Sequence, residues 1–239
     1  MIRSEMVLPY VLASCALLLV RTSACAVSID DVLAGVESRA RFARPMRADA
    51  RIVCEPACRT ARAILVGRGD AVYVEVENGL RALVRPKEVL VADGGRPGPA
   101  EMGKRLGDTA ILLSDLAVFD RRTLKTPQIS DEQPGEVVVT SQPAGPSSYA
   151  LLVYTIDPSL DRIVKTLYYQ GSINTLGKMR RDSAFVRVGD VPFPGEIRVE
   201  EMRTATTTKL ALTWSEAPDA PAALFEPGGL EKPSGLTFR

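Results

Sequence analysis

From Met46 to Trp214 the chain is a succession of short runs in which apolar residues recur at every second position. A period of two puts alternate side chains on opposite faces of a strand and cannot make one stripe on a helix. Ile197 and Val199 alternate with Glu196, Arg198 and Glu200; Leu210, Leu212 and Trp214 alternate with Lys209, Ala211 and Thr213. Arg47 to Cys54, Cys58 to Val66, Ala71 to Val76, Leu80 to Val84 and Lys87 to Ala92 read as strands, with Gly67-Arg68-Gly69-Asp70 and Asn78-Gly79 as turns. The Arg-Gly-Asp triplet there is turn chemistry rather than an adhesion motif. Further strands follow at Gly135 to Ser141, Tyr149 to Ile156, Arg162 to Gln170, Leu176 to Asp182, Ser183 to Val188, Glu196 to Met202 and Thr207 to Trp214. Roughly ten to twelve short strands with brief connectors predict a meandering antiparallel sheet, too wide to stay flat.

Two stretches break the period. Ser28 can cap a helix with Asp31 as its capping-box partner, and Ile29, Val32, Leu33, Val36 and Ala40 form an apolar stripe that Pro45 ends. After the Gly/Pro-rich break from Asp93 to Pro99, the segment from Glu101 to Asp120 is the second expected helix; Pro127 to Pro134 reads as irregular. The class is therefore mainly β (α+β): one large curled antiparallel sheet with a few helices, in one domain spanning 27–239.

The first residues have a different character. Met6 to Val20 is apolar, and Ala24-Cys25-Ala26 gives the small-x-small pattern of a signal-peptidase site. Cleavage after Ala26 is the expectation, leaving a neutral exported chain, because Arg3, Arg21 and Glu5 leave with the signal. A retained anchor is disfavoured because the run is short of the ~20 residues a spanning helix needs. Leu12-Ala13-Ser14-Cys15 matches a lipobox, but it sits inside the apolar run, so lipid anchoring at Cys15 is the lesser alternative. Beyond the signal only Cys54 and Cys58 remain, with three residues between them in a hairpin-like context, and in an oxidising compartment they are expected to form a structural disulfide.

Chemistry is narrowed by one absence: the 239 residues include no histidine. This excludes Ser-His-Asp and Cys-His catalysis and histidine-ligated zinc. The formal charge of +1 argues against nucleic acid as a partner. Asp30-Asp31 and Glu200-Glu201 are neighbours whose side chains point apart, and no oxygen-rich calcium loop or phosphate-binding glycine signature is present. Neither enzyme activity, cofactor nor metal is expected. What stands out is apolar wall: Tyr149 to Ile156 can bury both faces. A curled sheet with more such wall than two helices can fill leaves a groove for an acyl chain.

The order of motifs from Tyr149 to Asp157, through Ile163-Val164-Lys165-Thr166-Leu167-Tyr168-Tyr169, Val191-Pro192-Phe193-Pro194-Gly195-Glu196-Ile197 and Thr207-Thr208-Lys209-Leu210, to Leu224-Phe225-Glu226-Pro227-Gly228-Gly229-Leu230 resembles the outer-membrane lipoprotein-sorting proteins of the LolA/LolB-like superfamily. Leu106-Gly107-Asp108-Thr109 with Ser114-Asp115-Leu116 resembles that family's central helix. The resemblance implies a half-closed barrel with helices as a lid over an apolar cavity. It implies a periplasmic carrier of lipid or lipoprotein acyl chains, loaded by an inner-membrane exporter or unloaded to an outer-membrane receptor. The alternative is a non-enzymatic envelope sensor or exporter accessory whose groove takes a protein segment. The stretch from Cys58 to Gly95 looks shorter than in many relatives, and only nine residues follow Leu230. With Lys165 facing water, Val164 and Tyr168 turn inward; apolar weight adds Leu152, Tyr154, Ile156, Ile197, Val199, Leu210, Leu212 and Trp214 to the expected lipid-facing set.

Overall fold

The computed structural model describes residues 28–59, 61–93, 96–101 and 103–238. The expected signal sequence, the expected cleavage site and Cys15 lie outside the described residues.

Among the described residues the one α-helix, α1 (Ile29–Ala40), comes first. It presents Leu33 and Val36 to the core, carries Asp30 and Asp31 in its first turn and Arg39 in its last, and so opposes its own dipole at both ends. Ser28 occupies the cap position in extended geometry, but its side chain makes no capping bond, which corrects the expected capping box. The helix also stops short of Pro45, because Phe42 already belongs to the first strand.

That strand is β1 (Phe42–Glu55), followed by β2 (Arg62–Gly69), β3 (Ala71–Val76), β4 (Leu80–Arg85), β5 (Glu88–Asp93) and the two-residue β6 (Gly98–Pro99). After an intervening segment come β7 (Leu124–Gln133), β8 (Glu136–Pro143), β9 (Tyr149–Asp157), β10 (Arg162–Gln170) and β11 (Leu176–Ser183). The short β12 (Val186–Val188) and β13 (Val191–Phe193) form a separate hairpin, and β14 (Glu196–Glu201) and β15 (Thr206–Glu216) complete the set. Thirteen strands make one sheet in the order β6-β5-β4-β3-β2-β1-β15-β14-β11-β10-β9-β8-β7, paired antiparallel throughout and not closed into a barrel. The one non-local pairing at its centre, β1 with β15, joins the two ends of the chain and sets Ala50 opposite Leu212 and Ile52 opposite Leu210.

Two sequence expectations change here. Residues 127–134 are mostly strand: Pro127 is accommodated because β7 is an edge, where a missing N–H is not missed. The expected second helix is instead a run of turns with short 3-10 pieces at Leu113–Leu116 and Arg121–Thr123. Side chains there satisfy the backbone locally: the Thr109 hydroxyl donates to the Leu106 carbonyl at 2.8 Å, and the Asp115 carboxylate accepts the Leu112 N–H at 2.8 Å. Such bonds compete with a helical ladder.

The inner face of the sheet is covered by two different elements. Over β7–β10 lies α1, with Leu33 and Val36 packed on Leu124, Val137, Val139, Leu152, Tyr154 and Ile156. Gly35 permits this closeness, since a Cβ there would stand 2.9 Å from Asp161 Oδ1 in the β9–β10 turn. Over β1–β5, β14 and β15 lies the turn-rich segment, which buries Leu106, Ile111 and Leu113 against Ala48, Ala50, Leu65, Val74, Val199 and Leu210. Small residues on β1 let it sit close. It is lashed down by Arg105 to Glu201 (2.6 and 2.8 Å), by Ala110 N–H to Thr208 Oγ1 (2.9 Å) and by Arg59 N–H to the Asp108 carboxylate (2.7 Å). On the outer face Leu224, Phe225 and Leu230 cover Ile64, Tyr73, Leu83 and Leu90, so β3 is buried on both sides.

Cys54 and Cys58 are joined. Their setting differs from a tight hairpin: the β1–β2 register ends at Arg51 and Arg62, so Cys58 belongs to a broader loop. Oxidised protein should resist thiol labelling after denaturation, and reduction should cost roughly 2 kcal/mol on the loop-closure model, read as a lower melting temperature. Two labels incorporated without reductant would contradict the bridge.

Candidate functional site

Neither cover reaches the middle of the inner face. Between α1 and the turn-rich segment a half-open cleft of about 1100 Å³ remains. Its floor runs along β10, where Ile163, Thr166 and Tyr168 line it, a span of about 17 Å at the usual rise per strand residue. Leu152 and Tyr154 of β9 form one side; Ile197, Leu212 and Trp214 of β14 and β15 form the other.

At one end three aromatic rings come together. Phe193 stacks on Trp214 at 4.6 Å between centroids, and Phe42 lies 6.1 Å from Phe193. The indole N–H donates to the Pro194 carbonyl at 2.8 Å. Gly67 makes room for Phe42, because a Cβ there would lie 2.4 Å from ring carbons. Phe42 and Phe193 were not legible as site residues: the first sits where a helix was expected and the second in a three-residue strand.

The other end is built on buried charge. Lys178 Nζ and Asp115 Oδ1 are 2.5 Å apart, both nearly inaccessible to solvent. The ammonium lies 4.2 Å from the Tyr168 ring centroid and 5.4 Å from that of Tyr149. Arg180 donates to the Asp115 carbonyl and grips both Asp182 oxygens at 2.7 Å. Burial pushes the Tyr168 phenol well above its ordinary pKa, with the Asp115 charge adding to the effect. Burial likewise raises Tyr154 and Tyr149, the latter partly offset by Lys178. These phenols stay neutral at any physiological pH. Among the described residues no cluster of three or more potential metal ligands occurs.

Of the ten residues expected to face a ligand, Leu152, Tyr154, Tyr168, Ile197, Leu212 and Trp214 line the cleft. Ile156 is buried under α1, and Val199 and Leu210 under the turn-rich segment, so these three are core. Val164 is displaced by an irregularity in the β9–β10 register between Ile163 and Lys165: Ile163 pairs with Ile156 and takes the inward place. A bulge of this kind shifts the phase of alternation and leaves no mark in an apolar pattern.

No protein-family model matches the chain, and no curated protein sequence matches it. Solved structures do. A structure described as an outer membrane lipoprotein-sorting protein domain from Vibrio parahaemolyticus superposes with a TM-score of 0.70 at 13% identity, covering 84% of this chain and 97% of that one. A LolA superfamily protein from Nitrosomonas europaea gives 0.65 at 18%, covering 84% and 98%. A DUF1329 family protein from Desulfovibrio piger gives 0.69 at 12%, covering 85% and 99%. With an open antiparallel sheet of this order, α1 across its inner face and these superpositions, the chain shares its fold with these solved structures, a LolA superfamily protein among them.

Proposed function

We propose that this protein is an exported, non-enzymatic binder or carrier of lipid or lipoprotein acyl chains, acting in the periplasm in outer-membrane lipoprotein or lipid sorting. The observation that carries the reading is the long, largely apolar cleft left uncovered between α1 and the 103–118 segment. Each methylene sheltered there gains ~0.8 kcal/mol in gross terms. The similar fold of a lipoprotein-sorting domain supports the same assignment. In this reading residues 27–239 act as one unit after cleavage at Ala26, and an inner-membrane exporter or an outer-membrane receptor supplies the loading and release for which the sequence carries no nucleotide-binding signature.

Trp214 reports on this directly, as the sole indole of the chain. Titration with a fatty-acyl ligand is expected to shift its emission, and the same ligand brominated along its chain to quench it saturably. A ligand that calorimetry shows to bind, yet that leaves the emission untouched, would remove Trp214 and its end of the cleft from the site. If no acyl ligand binds by either method, the carrier reading fails.

A further inference from the structure

The cleft wall holds a cation without a hydrogen-bonded counterion among the described residues. Arg162, the first residue of β10, lines the cleft with its guanidinium carbon 5.6 Å from the centroid of the Phe193 ring. Its Nε and Nη2 are buried and have no hydrogen-bond partner among the described residues. The nearby carboxylates are committed elsewhere. Asp182 gives both oxygens to Arg180, and Asp161 faces Arg39 at 3.7 Å. Of the other acidic groups at the cleft, Asp115 and Asp120 are paired with Lys178 and Arg122, and Glu101 lies on an exposed segment outside the sheet. Burial lowers the Arg162 pKa to about 10, which leaves it charged at neutral pH. Buried donors of a charged group are costly to leave unmatched. Arg81 also has a buried unmatched Nε, but it does not line the cleft.

A guanidinium fork matches the two oxygens of a phosphate or carboxylate, and since Nε and Nη2 are closed to solvent, the side chain must turn toward the cleft to present it. From Arg162 the apolar floor continues through Ile163 and Thr166 to Tyr168, and Phe193 and Trp214 flank its start. We propose that Arg162 receives the oxyanion of an amphiphile, a phosphate or carboxylate, whose chain lies along β10 toward Tyr168. This inference rests on the acyl-binding reading of the cleft and adds to it the charge of the ligand and its direction.

The test compares hexadecyl phosphate, palmitate and hexadecanol, which share chain length and differ in charge, on the mature chain by calorimetry and Trp214 emission. The native protein is expected to bind the two anions about tenfold or more tighter than the alcohol, as a charge-assisted hydrogen bond implies. Arg162→Met should abolish that preference and leave hexadecanol affinity within about threefold, since the apolar contacts are retained. Arg162→Lys, which keeps the charge and loses the fork, should retain part of the preference and serves also if the methionine variant does not fold. Equal affinity of the native protein for charged and uncharged ligands would overturn the proposal while leaving the acyl cleft standing. Failure of all three to bind would overturn the acyl reading itself. Inorganic phosphate should leave the melting temperature unchanged; if it raises that of the native protein and not of Arg162→Met, the site takes a free oxyanion and the amphiphile assignment is wrong.

Discussion

Asp115→Ala is expected to destabilise the protein by about 3–5 kcal/mol, because it leaves the Lys178 ammonium buried without its counterion. The same carboxylate accepts the Leu112 N–H, and the residue's backbone carbonyl accepts from Arg180, so this one residue fixes the turn-rich cover against β11. Urea unfolding should show the loss as a lower midpoint, and thermal unfolding as a drop of roughly 6–20 °C for a chain of this size. The double change Asp115→Ala with Lys178→Met should be less damaging than the single one, since it removes the orphaned charge as well. Equal loss in the single and double variants would show that the pair contributes through the loop's hydrogen bonds and not through buried charge.

The second large effect concerns binding. Thr166 lies midway along the cleft floor with its side chain at the lining. Thr166→Phe should project a ring into space that an acyl chain would fill and exclude about three methylenes, a loss on the order of 2 kcal/mol or about thirtyfold in Kd for long chains. Short chains should bind nearly as before, and stability should fall by about 1–3 kcal/mol, because Thr166 is buried and part of the ring must displace its packed neighbours. An equal loss for long and short chains would mean that the chain does not run along β10.

Some of this was visible in the sequence, and the parts that were not share a cause. Alternation at Glu196 to Glu200 and at Lys209 to Trp214 placed β14 and β15 correctly, because one face of each is core and the other is solvent. Asn78-Gly79 marked the β3–β4 hairpin, with Gly79 at φ 98° as a turn of that kind requires. The segment after Glu101 misled because its leucines and isoleucines are spaced for either a helix or a compact run of turns, and Thr109, Asp115 and Arg105 decide between them through side-chain-to-backbone bonds three and four residues long, which apolar spacing does not record. Val164 misled because a register shift is invisible to a period-two pattern, so its inward place passed to Ile163. Ile156, Val199 and Leu210 face inward as alternation requires, yet alternation cannot say which inward residues a cover will bury. Arg162 was passed over because the end of a strand has no neighbour on one side to fix its direction. The cleft is thus defined less by the strands than by where two short covers stop.

Lipid carried in the cleft is the most direct mark of an acyl-chain carrier. Protein purified from the cell envelope, stripped of loosely held detergent and denatured before mass spectrometry, should release an acyl-bearing amphiphile at about one per chain, as a single cleft of this size allows. Stripped protein should then take up the same amphiphile saturably, quenching or shifting Trp214 emission as it does. Denatured samples free of lipid in every preparation, together with stripped protein that binds no acyl amphiphile, would contradict the carrier reading.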